Sequence, residues 1–214
     1  MKKAAIFLVI VLVIATTYAY FAKSTPLLPG YHAFFYTPKK YQKVVLQVQN
    51  NQSPEKLESN FKKLVPYWYG TRWSFNGTTQ KPGDGSIACG YFVTTVLQDL
   101  GVQLNRSQLA QLPSEQMIKN LVSTEDIQRF NNTPIFTFLY QVKHSGKGLY
   151  VVGLDTHTGF ILNDDSGTWF IHSSGAFPFC VVKQEASKAK ILADSRYRVL
   201  GKLTGNQEFM RKYI

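Results

Sequence analysis

Cysteine is scarce in this chain, acidic side chains are outnumbered, and one long stretch near the start holds no charge at all. Only Cys89 and Cys180 occur in 214 residues, with four histidines beside them. No Cys-x-x-Cys or His-x-x-x-His spacing is present, so the familiar zinc patterns are missing. A metal set of Cys89, His157 and His172 has no spacing to support it, and neither a metal nor another cofactor is expected. No cysteine closely follows the N-terminal apolar run, which argues against a lipid-modified bacterial N-terminus. Lysine and arginine do not gather into a groove-reading element, so no nucleic-acid partner is expected.

The uncharged stretch is informative in itself. Lys2 and Lys3 precede residues 4-22, whose centre is the continuous apolar run of residues 6-14. Thr17-Tyr18-Ala19 suits a signal-peptide cleavage site, and the stretch also approaches the ~20 residues needed to span a bilayer. Either use puts the body of the protein in the periplasm or cell envelope, with Lys2 and Lys3 left inside if the segment anchors it. The expected organisation is a leader or anchor at 1-22, a linker at 23-42 containing Pro26, Pro29 and Gly30, and one domain at 43-214. The net charge of +11 fits an anionic partner such as a cell-wall polymer or acidic lipid head groups. Scattered solubilising charge is the alternative.

Periodicity then divides the domain. Lys43 to Gln49 suggests a strand. Ser53 and Pro54 open a helix whose apolar positions are Leu57, Phe61, Leu64 and Val65. The segment from Pro66 to Gly77 mixes aromatics with turn formers, as the wall of a cleft or a structural aromatic cluster would. Phe92, Val93, Val96, Leu97 and Leu100 stripe a helix that starts at Cys89 and stops at Gly101. Helices are expected again at Arg106 to Leu112, Ser114 to Leu121, and from Thr133-Pro134 to Lys143. After His144 the period changes, and strands are expected at Leu149 to Leu154, Thr158 to Leu162, Trp169 to Ile171, Phe179 to Val182 and Tyr197 to Leu203. Helices first and an antiparallel sheet second make an α+β domain.

That layout gathers a chemical set. Cys89 lies in the first turn of a helix, where unpaired amides and the dipole favour a thiolate by up to ~2 kcal/mol, a pKa fall of roughly 1 to 1.5 units. His157 starts one strand and His172 ends the next, so a hairpin turn at residues 164-167 brings the two imidazoles together at one sheet edge. A thiol, a base and a group that orients the base are the parts of a cysteine nucleophile. The amide of Cys89 or its neighbour Gly90 can face an oxyanion, and the phenol of Tyr69 can donate to a thiolate or an oxyanion. His144 reads as a helix C-terminal or surface residue, and His32 stands apart. Two cysteines in an exported chain pair by base rate, yet Cys180 sits in an apolar strand-like run and Cys89 opens a helix.

These residues resemble a known family. Cys89 at a helix start, His157 in His-Thr-Gly-Phe-Ile-Leu, His172 in Phe-Ile-His-Ser-Ser and the aromatic-glycine stretch Tyr67 to Gly70 are similar to the motifs of NlpC-type cell-wall cysteine peptidases, over about Tyr67 to Gly175. The resemblance implies a papain-like domain with N-terminal helices packed on an antiparallel sheet. It implies hydrolysis of amide bonds in peptidoglycan stem peptides, with Cys89 as nucleophile, His157 as base and His172 as the partner that holds the ring. Family members usually carry Asp-Cys-Ser-Gly, whereas this chain has Ala88-Cys89-Gly90-Tyr91. The carboxylate that helps read the substrate's amino end is therefore absent. Asp155 can supply a charge or serve as a turn residue, and the helical insert from Arg106 to Lys143 can reshape the cleft. The competing functions are a thiol acyltransferase or lipid-acting hydrolase on the same scaffold, and a non-catalytic envelope-binding domain.

Overall fold

Leu149-Tyr150-Val151-Val152-Gly153-Leu154 contains no charged side chain, and a strand of that composition needs cover on both faces. The structure, a computed structural model, describes residues 38–214. The leader, linker residues 23-37 and His32 lie outside the described residues. Among the described residues no helix is long and apolar enough to cross a membrane.

The first half is helical. Helices α1 (Pro38–Gln49) and α2 (Leu57–Leu64) precede the parallel pair of short strands β1 (Arg72–Trp73) and β2 (Ser86–Ile87). Then come α3 (Cys89–Asp99), α4 (Arg106–Ala110) and α5 (Ser114–Lys119). Strand β3 (Ile127–Asn131) and helix α6 (Ile135–His144) lead into β4 (Gly148–Leu154), β5 (Thr158–Asp164), β6 (Gly167–Ser173) and β7 (Val181–Glu185). Helix α7 (Lys190–Asp194), strand β8 (Tyr197–Lys202) and helix α8 (Gln207–Tyr213) end the chain. The main sheet runs β3-β8-β4-β5-β6-β7, antiparallel throughout. The fold is α+β.

Every residue of β4 is buried, and its alternate side chains enter two separate apolar clusters. Leu149 and Val151 join Phe61, Phe92, Val96 and Ile118 on the face covered by the early helices. Tyr150, Val152 and Leu154 join Phe138, Val142 and Leu192 on the face covered by α6 and α7. The sheet therefore lies between two helical layers, one more than the expected arrangement.

Four local expectations are corrected. Lys43 to Gln49 is helical, within α1, despite its valines. Tyr41 and Val48 are buried with Val44 and Val45 packed alongside, a helical stripe that satisfies the same cluster as α2 and α3. Residues 38-42, expected in the linker, belong to that helix. The insert from Arg106 to Lys143 is not wholly helical, because β3 pairs with β8 along its length at the sheet edge. Finally, β7 begins at Val181, not Phe179, because Phe179 has a φ of 55° and ends a turn.

The start of α3 is held from two sides. Ala88 is extended, its N–H donates to the carbonyl of Gly77 at 2.8 Å, and Ser173 Oγ donates to the carbonyl of Ile87 at 2.7 Å. Gly77 permits this approach, since a Cβ there would lie 2.5 Å from the Ile87 nitrogen. The residues that lead into Cys89 are thus fastened to the end of β6, one residue after His172.

Candidate active site

A cysteine that opens a helix without a side-chain cap faces several backbone donors. Ala88 makes no side-chain cap, and the amides of Cys89, Gly90 and Thr158 all approach the Cys89 sulfur. Burial outweighs them and pushes the thiol above its ordinary value. This corrects the expected fall in pKa. The helix start is packed against β5, and desolvation of an anion there exceeds what the first-turn amides return. Cys89 and Cys180 are both free thiols. Cys180 is fully buried, and desolvation raises it to about 12.

The hairpin brings the imidazoles together as the strand order requires. Asp164 pairs with Gly167, and Ser166 N–H donates to Asp164 Oδ1 at 2.9 Å, which forms the turn. His157 Nε2 lies 2.8 Å from His172 Nδ1, the rings nearly perpendicular. His172 has no exposed surface and stacks on Phe170 with ring centroids 4.0 Å apart. Desolvation lowers His157 from 6.5 to about 4. It lowers His172 to about 3, with the neighbouring His157 adding to the fall. Both rings are neutral at physiological pH.

Two glycines make the geometry possible. A Cβ on Gly159 would lie 2.8 Å from His172 Cβ and 2.9 Å from the Ile171 carbonyl oxygen. Gly90 faces the Ala110 carbonyl so closely that a Cβ would overlap it. The Gly90 side of the predicted site is thus a contact between α3 and α4 as well as an amide donor.

Cys89, Gly90, His157 and Thr158 line one cleft of about 650 Å³. Its other walls are the turn between α4 and α5, the start of α5, the turn between β4 and β5, and Tyr197. Among the described residues no hydrogen bond joins the Cys89 sulfur to the His157 ring. They meet at the cleft, with the amide next to His157 in the chain approaching the sulfur. Tyr69 is buried in the apolar cluster and is not among the residues that line the cleft. Trp68 and Tyr69 of that aromatic segment are core residues, as a structural cluster requires.

The charged residues that line the cleft are Glu115 and Asp155. Glu115 accepts from Tyr197 and Arg129, and Asp155 accepts from Ser195 Oγ and the amides of Arg196 and Tyr197. Asp155 is a turn residue, and those donors hold its carboxyl below the usual range. The excess positive charge of the chain therefore does not line this cleft. His144 ends α6 and contacts the Tyr140 carbonyl, away from the site.

One member of the site was missed in the sequence. Gln184 Oε1 lies 3.1 Å from His172 Nε2. Gln184 is twelve residues from His172, on the neighbouring strand opposite Phe170, and a lone glutamine in a strand carries no chemical signal. Its bond occupies the second nitrogen of His172, so a Cys-His-His metal set would lack its third ligand. No protein-family model, curated protein or solved structure matches this chain.

Proposed function

We propose that the protein is an exported cysteine hydrolase of the papain-like, NlpC type that cleaves amide bonds, with peptidoglycan stem peptides as substrate. The single observation that carries this is the shared cleft of Cys89 and His157, with His157 bonded at 2.8 Å to a buried second imidazole. The antiparallel sheet and the helix-start cysteine packed on it support the scaffold.

In this mechanism the resting pair is neutral, thiol and imidazole, because burial disfavours both ions. A substrate carbonyl enters above the first turn of α3. As sulfur bonds to the carbonyl carbon, its proton passes to His157 Nδ1, the ring nitrogen not engaged by His172. The amides of Cys89 and Gly90 receive the oxyanion. The C–N bond breaks as His157 returns that proton to the leaving amine, leaving a thioester on Cys89. Water then attacks, His157 takes a proton from it, and that proton returns to sulfur as the carboxylic acid departs. Hydrogen bonds of such pairs commonly tighten only when substrate is bound, consistent with the open thiol-imidazole geometry here. A polyanionic wall would be met by the basic surface outside the cleft, while Glu115 and Asp155 suit a neutral or amine-bearing peptide inside it.

The test is mass analysis of peptidoglycan fragments after digestion with the intact protein and with Cys89→Ala or His157→Ala. New amine and carboxylate ends are expected from the intact protein alone. Identical fragment patterns from all three would rule the activity out, and a transferred acyl group in place of a free acid would indicate the acyltransferase.

A further inference from the structure

His172 is sealed from solvent, and each of its ring nitrogens has one partner, His157 Nε2 at 2.8 Å and Gln184 Oε1 at 3.1 Å. A neutral imidazole carries one proton, so one nitrogen donates and the other accepts. An amide oxygen only accepts. With Oε1 against it, His172 Nε2 must hold the proton and donate to Gln184. His172 Nδ1 is then a lone pair, and His157 Nε2 must donate to it. The remaining nitrogen, His157 Nδ1, is left with the lone pair that a base needs. If the amide were turned to present its NH₂ group, every assignment would reverse and His157 would offer an N–H to the cleft.

The sulfur end asks for the same polarity. The amides of Thr158, Gly90 and Cys89 itself approach the Cys89 sulfur. A thiol crowded by donors has its own S–H left to give, and an acceptor is the matching partner. Phe170 covers one face of the His172 ring, which leaves the chain of hydrogen bonds as its polar environment.

We propose that Gln184 is a positioning residue whose side-chain oxygen fixes the tautomers of His172 and His157, so that His157 Nδ1 is the proton acceptor. Gln184 reaches neither the thiol nor the cleft lining. Its effect passes through two imidazoles. This rests on the role of His157 as base under the proposed hydrolase function.

Three replacements of the full chain separate polarity from packing. Gln184→Glu keeps an acceptor, Gln184→Met removes both functions, and Gln184→Lys offers only donors. The readouts are the rate of Cys89 alkylation by iodoacetamide at neutral pH and the ¹⁵N signals of the histidine rings, with melting curves run alongside. Gln184→Glu should alkylate within about twofold of the intact protein, Gln184→Lys about tenfold or more slowly, and Gln184→Met between them, on the scale of general-base effects. His157 Nδ1 should be unprotonated in the intact protein and in Gln184→Glu, and protonated in Gln184→Lys. Equal alkylation rates for the Glu and Lys variants, or a protonated Nδ1 in the intact protein, would overturn the proposal. His157→Ala distinguishes the two levels. If it alkylates as fast as the intact protein, the base assignment itself fails. If it is slowed while the Gln184 variants are not, only the role of Gln184 fails.

Discussion

Gly159 packs against β6 beside His172, and its lack of a side chain is what that contact requires. A methyl group there would press on His172 Cβ at 2.8 Å and on backbone at 2.9 Å, and neither can yield without moving β6. Gly159→Ala should destabilise the fold by about 1–3 kcal/mol, the usual range for overpacking. Cys89 alkylation should slow as well, since His172 can no longer hold His157. Denaturant unfolding with a parallel alkylation assay checks both. The imidazoles also set a pH dependence whose sign follows from their direction of shift. The folded values, near 4 and 3, lie below the ordinary 6.5, so the unfolded chain binds protons that the folded chain excludes. Their contribution is complete above pH 6.5 and is lost as pH falls toward the folded values. Between pH 7 and pH 5 His157 alone should account for about 2 kcal/mol of lost stability. Unfolding of His157→Gln at both pH values should show a loss smaller by that amount, and an equal loss would contradict the shift.

At the scale of elements, α1 is joined to the body by a buried polar contact. Tyr41 donates to the Asp99 carboxylate and accepts from Trp68 Nε1 at 2.7 Å. Desolvation raises Asp99 to about 6, although the Tyr41 bond works against that rise. Tyr41→Phe keeps the ring and removes both bonds, leaving a buried indole N–H and a half-buried carboxyl without their partner. A loss of about 2–3 kcal/mol is expected from unsatisfied groups of this kind. Amide exchange should rise across residues 38-49 before it rises in α3. Uniform exchange across both helices would mean that α1 is held mainly by its apolar face. The strand expected at Lys43 to Gln49 failed for the same tertiary reason. Valines favour strands in isolation, but Tyr41 and Val48 find cover only when one turn of helix separates each successive contact.

For the whole molecule, the second helical layer depends on Arg198. Its guanidinium is buried and donates to the carbonyls of Leu192, Thr133 and Ala193 at 2.7–2.8 Å. One side chain of β8 thus ties α7 and the approach to α6 to the sheet. Arg198→Met fills similar space without the donors and should lower stability by about 3 kcal/mol, mainly by orphaning buried carbonyls. Below the reduced melting temperature, Cys89 alkylation should keep its rate, because Arg198 does not line the cleft. A slowed rate would show that the two layers are coupled through the sheet.

Much of this was legible from local pattern. The stripe from Phe92 to Leu100, the glycine stop at Gly101 and the turn at residues 164-167 are each decided within a few residues, so sequence alone established α3, the hairpin and the meeting of His157 with His172. What the chain does not encode locally was decided by packing. Whether Cys89 is acidified or held neutral depends on how deeply its helix start is buried, and burial reversed the effect expected from the dipole. Gln184 joined the site because sheet register chooses neighbours that are distant in the chain. Periodicity reports which face of an element is apolar. Only the assembled layers set the solvation and the partners that the chemistry depends on.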